Sequence, residues 1–224
     1  MPVKPGAVIF DLDGTLIDNN RYHIDAWKVF YKKIGREFSM DEYKNNMNGR
    51  INRDIFRYLF GNEISAEEIE RLTEEKEGLY RELYAPFIQP IPGLLAFLKQ
   101  IKEAGIPMAI ATSGLPKNIA FMFEHITMRD YFDDIIDATL ITNSKPHPEI
   151  FLKAAAAVHA NPQNCIAFED SVAGVRSAKA AGMKVIGLTT THTAADLHEA
   201  DRIITDYTHI NMNGILQLMD LWTM

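Results

Sequence analysis

The sequence predicts an α/β protein in which helices cover a parallel sheet and a helical block is inserted after the first strand. Short apolar runs recur along the chain, turn residues flank them, and helical segments separate them. Such runs are typical of strands that are buried on both faces of a parallel sheet. The predicted strands are residues 7–10, 107–111, 135–136, 165–168, 184–188 and 202–205.

Helices are predicted between these strands. Residues 94–104 carry apolar side chains at helical spacing, and Gly105 is placed to end that helix. Residues 148–159 and 171–181 also read as helices, with Gly182 following the second. Alternating strands and helices favour a sheet whose crossovers are right-handed.

Residues 22–84 interrupt this alternation because they contain helical patterns and no convincing strand. The prolines of residues 86–93, PFIQPIPG, suit a linker that crosses between domains. We interpret an acidic run in residues 62–77 as a solvated helix face. Its acids are Glu63, Glu67, Glu68, Glu70, Glu74, Glu75 and Glu77.

The amino-acid composition limits the kinds of molecule that this protein is expected to bind. The 224 residues are 47% apolar, 24% are charged, and the net charge is −7, which disfavours binding to nucleic acid or anionic membranes. A small phosphorylated substrate stays compatible with that charge. The single cysteine, Cys165, excludes an internal disulfide. With no signal-peptide pattern and no membrane-length apolar stretch, we expect a cytoplasmic monomer.

Two carboxylates follow the first predicted strand in the stretch FDLDGT. Asp11 and Asp13 are two residues apart, so in an extended segment both point to one side. Ligands of such sheets bind at the carboxyl ends of the strands. Two adjacent carboxylates repel each other unless a cation neutralises one and a proton the other, which points to Mg²⁺ and to an elevated pKa for the second acid. A calcium loop is excluded because Gly14 comes too early and Tyr22 replaces its last glutamate.

Other strand ends carry complementary groups. Thr112 and Ser113 supply hydroxyls that can donate to a phosphate, and Lys145 lies in a loop just before a helix. Glu169 and Asp170 end a further strand. Helix capping explains one of these two acids well and the pair less well. Carboxylates, hydroxyls and a cation are therefore predicted to meet at one edge of the sheet.

The stretches DLDGTLID, IATSG, SKPHPEIF and FEDSVAGVRSAKAAG resemble the four motifs of the haloacid dehalogenase superfamily of phosphotransferases. With a helical insertion after the first motif, the chain resembles the subfamily of β-phosphoglucomutase and sugar-phosphate phosphatases. This resemblance implies a Rossmann-like doubly wound parallel sheet core with an inserted all-helical cap domain. The implied core is residues 1–17 and 88–224, and the implied cap is residues 18–87.

The resemblance also implies roles for individual residues. Asp11 is the expected nucleophile, and Asp13 the expected general acid and base. Thr112, Ser113 and Lys145 are expected to hold the transferring phosphate. The expected cofactor is Mg²⁺, held by Asp11, the backbone carbonyl of Asp13, Asp170, and Glu169 directly or through water.

The cap is expected to select the substrate. YHIDAWK is similar to the mutase's cap and makes His23 a candidate for touching substrate or gating Asp13, while Arg53 and Lys76 are candidate phosphate-binding cations. Thr15 and Leu16 after Gly14 favour a phosphatase. Three hypotheses follow: a Mg²⁺-dependent phosphatase of small sugar or polyol phosphates using an aspartyl phosphate; a β-phosphoglucomutase that converts β-glucose 1-phosphate to glucose 6-phosphate; and a catalytically silent phosphate-binding protein.

Overall fold

A six-stranded parallel sheet forms the centre of the protein, which we describe from a computed structural model covering residues 5–220. The strand order is β3-β2-β1-β4-β5-β6, so the sheet is doubly wound and the predicted fold class is confirmed. All six predicted strands are present, with ends that differ from the prediction by a residue at most. The strands are β1 (Ala7–Phe10), β2 (Met108–Ala111), β3 (Asp134–Ile136), β4 (Cys165–Glu169), β5 (Lys184–Leu188) and β6 (Arg202–Ile204).

Helices cover both faces of this sheet, and the first five of them lie between β1 and β2. The first four are α1 (Asn20–Lys33), α2 (Met40–Glu42), α3 (Asn52–Phe60) and α4 (Ala66–Tyr84), with a π-helical turn (Tyr43–Met47) after α2. The remaining helices are α5 (Leu94–Glu103), α6 (Pro116–His125), α7 (Glu149–Ala157), α8 (Val172–Ala180) and α9 (Met212–Asp220).

The central strand β1 aligns the strand ends that carry the motifs. Phe10 lies opposite Ile110 of β2 and Phe168 of β4, and every side chain of β1 is fully buried. Alternate side chains enter the two apolar clusters on opposite faces of the sheet. The residues that follow β1, β2 and β4 therefore lie side by side at one sheet edge.

The inserted helices have an apolar cluster of their own, built around the aromatic side chains of Trp27, Phe30 and Phe56. The two chain segments that join them to the sheet run together, since the backbone N–H of Ile91 donates to the carbonyl of Leu16 at 3.0 Å. The helices thus pack as a unit on a double connection. The boundaries 17/18 and 87/88 of a cap domain stay a prediction.

Helix α4 corrects one expectation about the acidic run. The acidic run of residues 62–77 is expected from sequence to be a solvated helix face. Its glutamates are exposed or half-buried except for Glu77, which is only 3% exposed. Glu77 lies eight residues after buried Ile69 and three before buried Tyr80, which puts it on the inward stripe of the helix. The run is therefore a solvated face up to Glu75 and a buried charge at Glu77.

Within residues 5–220, none of the helices combines the length and the apolar character that a bilayer crossing needs. Cys165 is buried and carries a free thiol at the start of β4.

Gly93 caps the start of α5 with φ +82°, and a Cβ there would lie 2.5 Å from the backbone carbon of Tyr207. We expect Gly93→Ala to lower the free energy of unfolding by about 1–2 kcal/mol for the left-handed backbone and by about 1–3 kcal/mol more for the overlap. The matched control is Gly105→Ala at the other end of the helix, where φ is +70° and nothing lies within 4 Å of the new Cβ. Urea unfolding of both variants measures the difference; equal losses would contradict the overlap.

Candidate active site

Lys145 is the central group of the site. Its side chain is 1% exposed, and its ammonium donates to Oδ1 of Asp11 at 2.6 Å, to Oε1 of Glu169 at 2.5 Å and to the carbonyl of Ala111 at 3.3 Å. These partners follow or end β1, β4 and β2, so one side chain ties three strand ends together. Attraction to the two carboxylates outweighs burial and raises the pKa of Lys145 above its ordinary value.

The Glu169 carboxylate accepts hydrogen bonds from several neighbouring groups. Besides Lys145, its Oε2 accepts from the backbone N–H groups of Asp170 (3.0 Å) and Ser171 (2.9 Å) and from the Ser171 hydroxyl (3.0 Å). The Ser171 hydroxyl in turn accepts from the N–H of Gly174 and caps α8. A carboxylate offers about four acceptor positions, two on each oxygen. Three of these bonds fall on Oε2 and one on Oε1, so Oε1 keeps an acceptor position that a metal could use.

Asp11, Glu169 and Asp170 offer oxygen atoms that lie within 4.8 Å of one another. Burial, together with Glu169 and Asp13 and against the attraction of Lys145, raises the pKa of Asp11 to about 8. Burial and the neighbouring carboxylates also raise the pKa of Asp170 well above its ordinary value. Three buried carboxylates face one ammonium, so the cluster has an excess of negative charge. Oxygen ligands and excess negative charge fit a hard divalent cation such as Mg²⁺.

Asp13 lies near Asp11 in a different environment, with 30% of its side chain exposed. Its Oδ1 accepts from the amide of Asn19 at 2.5 Å and lies 3.7 Å from Nε2 of His23. Burial alone would raise the pKa of Asp13, but His23 and Asn19 outweigh it and hold the pKa below its ordinary value. The expected elevated pKa is therefore wrong for this state: Asp13 is a carboxylate, because its neighbours donate to it.

The loop after β2 contributes Ser113 to the cavity, while Thr112 lies behind it. The Thr112 hydroxyl accepts from the N–H of Gly114 at 2.9 Å, and the Ser113 hydroxyl donates to the carbonyl of Gly49 in the inserted helical unit at 2.9 Å. Ser113 therefore joins the sheet edge to the inserted helices. The phosphate-binding roles of both residues stay predictions.

Two of the three predicted cap residues, His23 and Lys76, line the same cavity as Asp11 and Asp13. The Lys76 ammonium lies 2.8 Å from Nδ1 of His23 and 5.0 Å from the centre of the Trp27 ring. A chain of polar contacts thus runs from Asp13 through His23 to Lys76.

Arg53 lies elsewhere. Its guanidinium contacts Asp54 at 3.2 Å and donates to the carbonyl of Thr142 at 2.5 Å, and it lines a neighbouring cavity between α3, α4 and the loop before α6. Asn52 and Arg50 line the cavity with Asp11 instead.

The polar residues of the site that sequence reasoning left unassigned include Asn19, Glu77 and Asn118. Asn19 donates to Asp13 and, at 2.7 Å, to the Tyr80 hydroxyl, while its carbonyl oxygen accepts from the N–H of Gly14. Glu77 and Asn118 contact each other across the cavity at 2.8 Å. The helical spacing of Glu77 from Ile69 is a signal that could have placed it inside.

Comparisons with known proteins agree with this geometry. A family model described as haloacid dehalogenase-like hydrolase matches residues 8–188. The β-phosphoglucomutase of Bacillus subtilis (strain 168) is 33% identical over 194 residues, covering 81% of this chain and 82% of that protein. The validoxylamine A 7'-phosphate phosphatase of Streptomyces hygroscopicus subsp. limoneus is 28% identical over 204 residues, covering 91% and 95% respectively.

Solved structures give the same picture. The β-phosphoglucomutase of Clostridium difficile superposes with a TM-score of 0.87 at 28% identity, and the match covers 98% of this chain and 99% of that one. Relatives named for mutase activity and for phosphatase activity thus resemble this chain to a comparable extent. Similarity alone does not choose between the two reactions.

Glu77 generates a prediction about stability and pH. Burial alone would raise its pKa, but Lys76 and the amides of Asn52 and Asn118 lower it from 4.5 to about 2. Such a carboxylate stabilises the folded state above pH 4.5, and the stabilisation is lost as the pH falls towards 2. We expect the stability advantage of the wild type over Glu77→Gln to shrink by about 2 kcal/mol between pH 6 and pH 3.

Urea unfolding of both proteins at the two pH values measures this change. Glu75→Gln is the matched control for the loss of one ion-paired carboxylate from α4, because Glu75 contacts Lys33 and Arg71 outside the cavity. A wild-type advantage that does not depend on pH would contradict a charged, buried Glu77.

Proposed function

Because the chain belongs to the haloacid dehalogenase-like hydrolase family, we propose that it is a Mg²⁺-dependent phosphatase of small sugar or polyol phosphates that works through an aspartyl phosphate. The observation that carries this proposal is the contrast between two carboxylates in one cavity. Asp11 is buried against Lys145 in the cluster of three carboxylates, whereas the Asp13 side chain is 30% exposed and is contacted by Asn19 and His23. This contrast supports a proposal in which Asp11 forms the covalent bond and Asp13 moves the proton.

The reaction divides between these two groups. An oxygen of Asp11 attacks phosphorus while the bond to the substrate's ester oxygen breaks, and Asp13 donates its proton to the departing oxygen. The phosphoryl group of the bound substrate adds negative charge beside Asp13, which raises its pKa and favours the protonated form that this step needs. Water then attacks the aspartyl phosphate and gives its proton to Asp13. Inorganic phosphate leaves, and the Asp11 carboxylate is restored.

The Lys145 ammonium, together with a Mg²⁺ bound at the three carboxylates, would match the negative charge of the transferring group. Lys145 is held in place by Glu169, so its ammonium stays beside the attacking carboxylate. The carboxylates of Asp11 and Asp170 and the carbonyl of Asp13 would hold Mg²⁺, which when bound withdraws negative charge from the phosphoryl oxygens.

The helical unit must move to admit a substrate. The cavity has a volume of about 70 Å³, whereas pockets that enclose small molecules typically measure about 300–1,000 Å³. Asn19 links this movement to the chemistry, because it joins Asp13 to Tyr80 of α4. Closure of the helical unit therefore brings Asp13 into its working position and shields the aspartyl phosphate from the surroundings.

A second candidate is β-phosphoglucomutase activity, favoured by the contact of His23 with Asp13 and by the position of Lys76 in the cavity. A mutase has to bind a sugar bisphosphate. Arg53, the other cation expected for the second phosphate, lies outside the cavity, and Lys76 already forms an ion pair with Glu77 at 2.9 Å. These two contacts support the phosphatase over the mutase.

The nucleophile is tested by Asp11→Asn. We expect phosphate release from a panel of sugar and polyol monophosphates to fall by a factor of about 10³ or more, because an amide does not form the covalent intermediate. Wild-type activity should disappear with a chelator and return with Mg²⁺. Asp130→Asn, an exposed residue after α6, is the control. Undiminished phosphate release by purified Asp11→Asn would refute the proposal.

The two reactions are separated with β-glucose 1-phosphate and a trace of glucose 1,6-bisphosphate. We expect steady release of inorganic phosphate, because water is the acceptor in a phosphatase. Coupled assays for phosphate and for glucose 6-phosphate are run on the same sample. Stoichiometric glucose 6-phosphate without free phosphate would establish the mutase instead.

A further inference from the structure

We propose that Glu77 restricts this enzyme to monophosphates by excluding a second phosphate from the half of the cavity that faces α4 and by accepting a substrate hydroxyl there. This inference rests on the proposed phosphatase function and specifies its substrate class: a small molecule with one phosphate and an uncharged, hydroxyl-bearing remainder.

Glu77 is a charged residue of α4 that lines the cavity. Its side chain is 5% exposed, and it lines the cavity together with Lys76, Asn52 and Asn118. Its Oε1 accepts from the Lys76 ammonium at 2.9 Å and from the Asn52 amide at 2.7 Å. Its Oε2 accepts from the Asn118 amide at 2.8 Å. Two of these donors, from α4 and α3, hold the carboxylate within the helical unit, and the third, from α6, binds it when the unit is closed.

The hydrogen-bonding capacity that is left fits a hydroxyl group. A carboxylate has about four acceptor positions, and Glu77 uses three. An ammonium has three protons, and Lys76 uses one on Glu77 and one against His23. The pair therefore offers about one acceptor and one donor. A hydroxyl both donates and accepts, whereas a phosphate dianion has nothing to donate to Glu77.

The charges lead to the same conclusion. The positive charge of Lys76 is already matched by Glu77 at 2.9 Å, and Arg53 is occupied by Asp54 outside the cavity. A second phosphate beside this pair would meet an ion pair with no net positive charge, and it would lie close to a buried carboxylate. Repulsion between like charges in a partly desolvated site is large enough to decide specificity.

Among the described residues, Arg50 is a further cation that lines the cavity. Arg50 follows Asn48 and Gly49 in the loop before α3. It lines the cavity with Asp11 and also a separate cavity that is lined by Lys44 and Arg176. Arg50 therefore does not neutralise Glu77, which is held by donors from three helices. If Arg50 instead received a second phosphate, the wild type would accept bisphosphates as well as monophosphates, and the experiment below would show it.

The test compares two pairs of sugar phosphates: fructose 1-phosphate with fructose 1,6-bisphosphate, and glucose 6-phosphate with glucose 1,6-bisphosphate. Phosphate release gives kcat/KM for the Mg²⁺-loaded enzyme. Calorimetry on an Asp11→Asn background gives Kd without turnover. We expect the wild type to prefer the monophosphates and Glu77→Gln to shift the ratio towards the bisphosphates on the order of tenfold to a hundredfold.

Two control variants separate charge from structure. Glu77→Asp keeps the negative charge and should keep the preference for monophosphates. Glu75→Gln removes a carboxylate from the same helix outside the cavity and should leave the ratio unchanged. Unfolding curves establish that every variant is folded. Should Glu77→Gln fail to fold, Glu77→Asn replaces it in the same comparison.

The outcomes distinguish this inference from the proposed function. A wild type that binds bisphosphates as tightly as monophosphates, or a ratio that Glu77→Gln leaves unchanged, would overturn the role of Glu77. A wild type that releases no phosphate from any compound would refute the phosphatase, while the Kd ratios would still report on Glu77.

Discussion

The buried ammonium of Lys145 is the group on which the rest of the site depends. It contacts Asp11, Glu169 and the carbonyl of Ala111, which belong to the ends of three neighbouring strands. Without it, the buried carboxylates at this edge would repel one another with no positive charge between them, a costly arrangement in a medium of low polarity. The parallel sheet makes the arrangement possible because it places these strand ends at one edge in register.

The two halves of the cavity differ in electrostatic character. At the sheet edge, three carboxylates face one ammonium, and the resulting excess of negative charge suits a divalent cation and then a phosphoryl group bound to it. On the wall that faces α4, Lys76 and Glu77 balance each other. The sheet edge is therefore suited to the charged reacting group of a substrate. The side of the cavity that faces α4 is suited to the neutral, polar part of the same molecule. This division makes a net charge of −7 compatible with the proposed phosphorylated substrate.

The fold, and the meeting of the carboxylates with Lys145 at one sheet edge, could be predicted from sequence because each depends on local pattern. Apolar runs mark the strands, and the motif residues follow them directly. The wall of the cavity could not be predicted, because it depends on packing between distant segments. Glu77 meets Asn118 across 41 positions of sequence, and its place in an acidic run suggested a solvated face. Arg53 illustrates a second reason: adjacent helical residues point about 100° apart, so Asn52 faces the cavity and Arg53 does not.

Recognition and closure use the same polar groups. On the side of the connecting segments, Tyr22 and Tyr84 pack into the apolar cluster of the sheet, which keeps the helical unit attached. On the side of the cavity, the contacts are polar: Glu77 with Asn118, and Ser113 with Gly49. Water can replace polar contacts at little net cost, whereas exposing the apolar cluster is expensive. We therefore expect the helical unit to open at the cavity and to pivot at its apolar side. We expect a substrate whose hydroxyls contact Glu77 to favour closure, and closure to position Asp13 through Asn19.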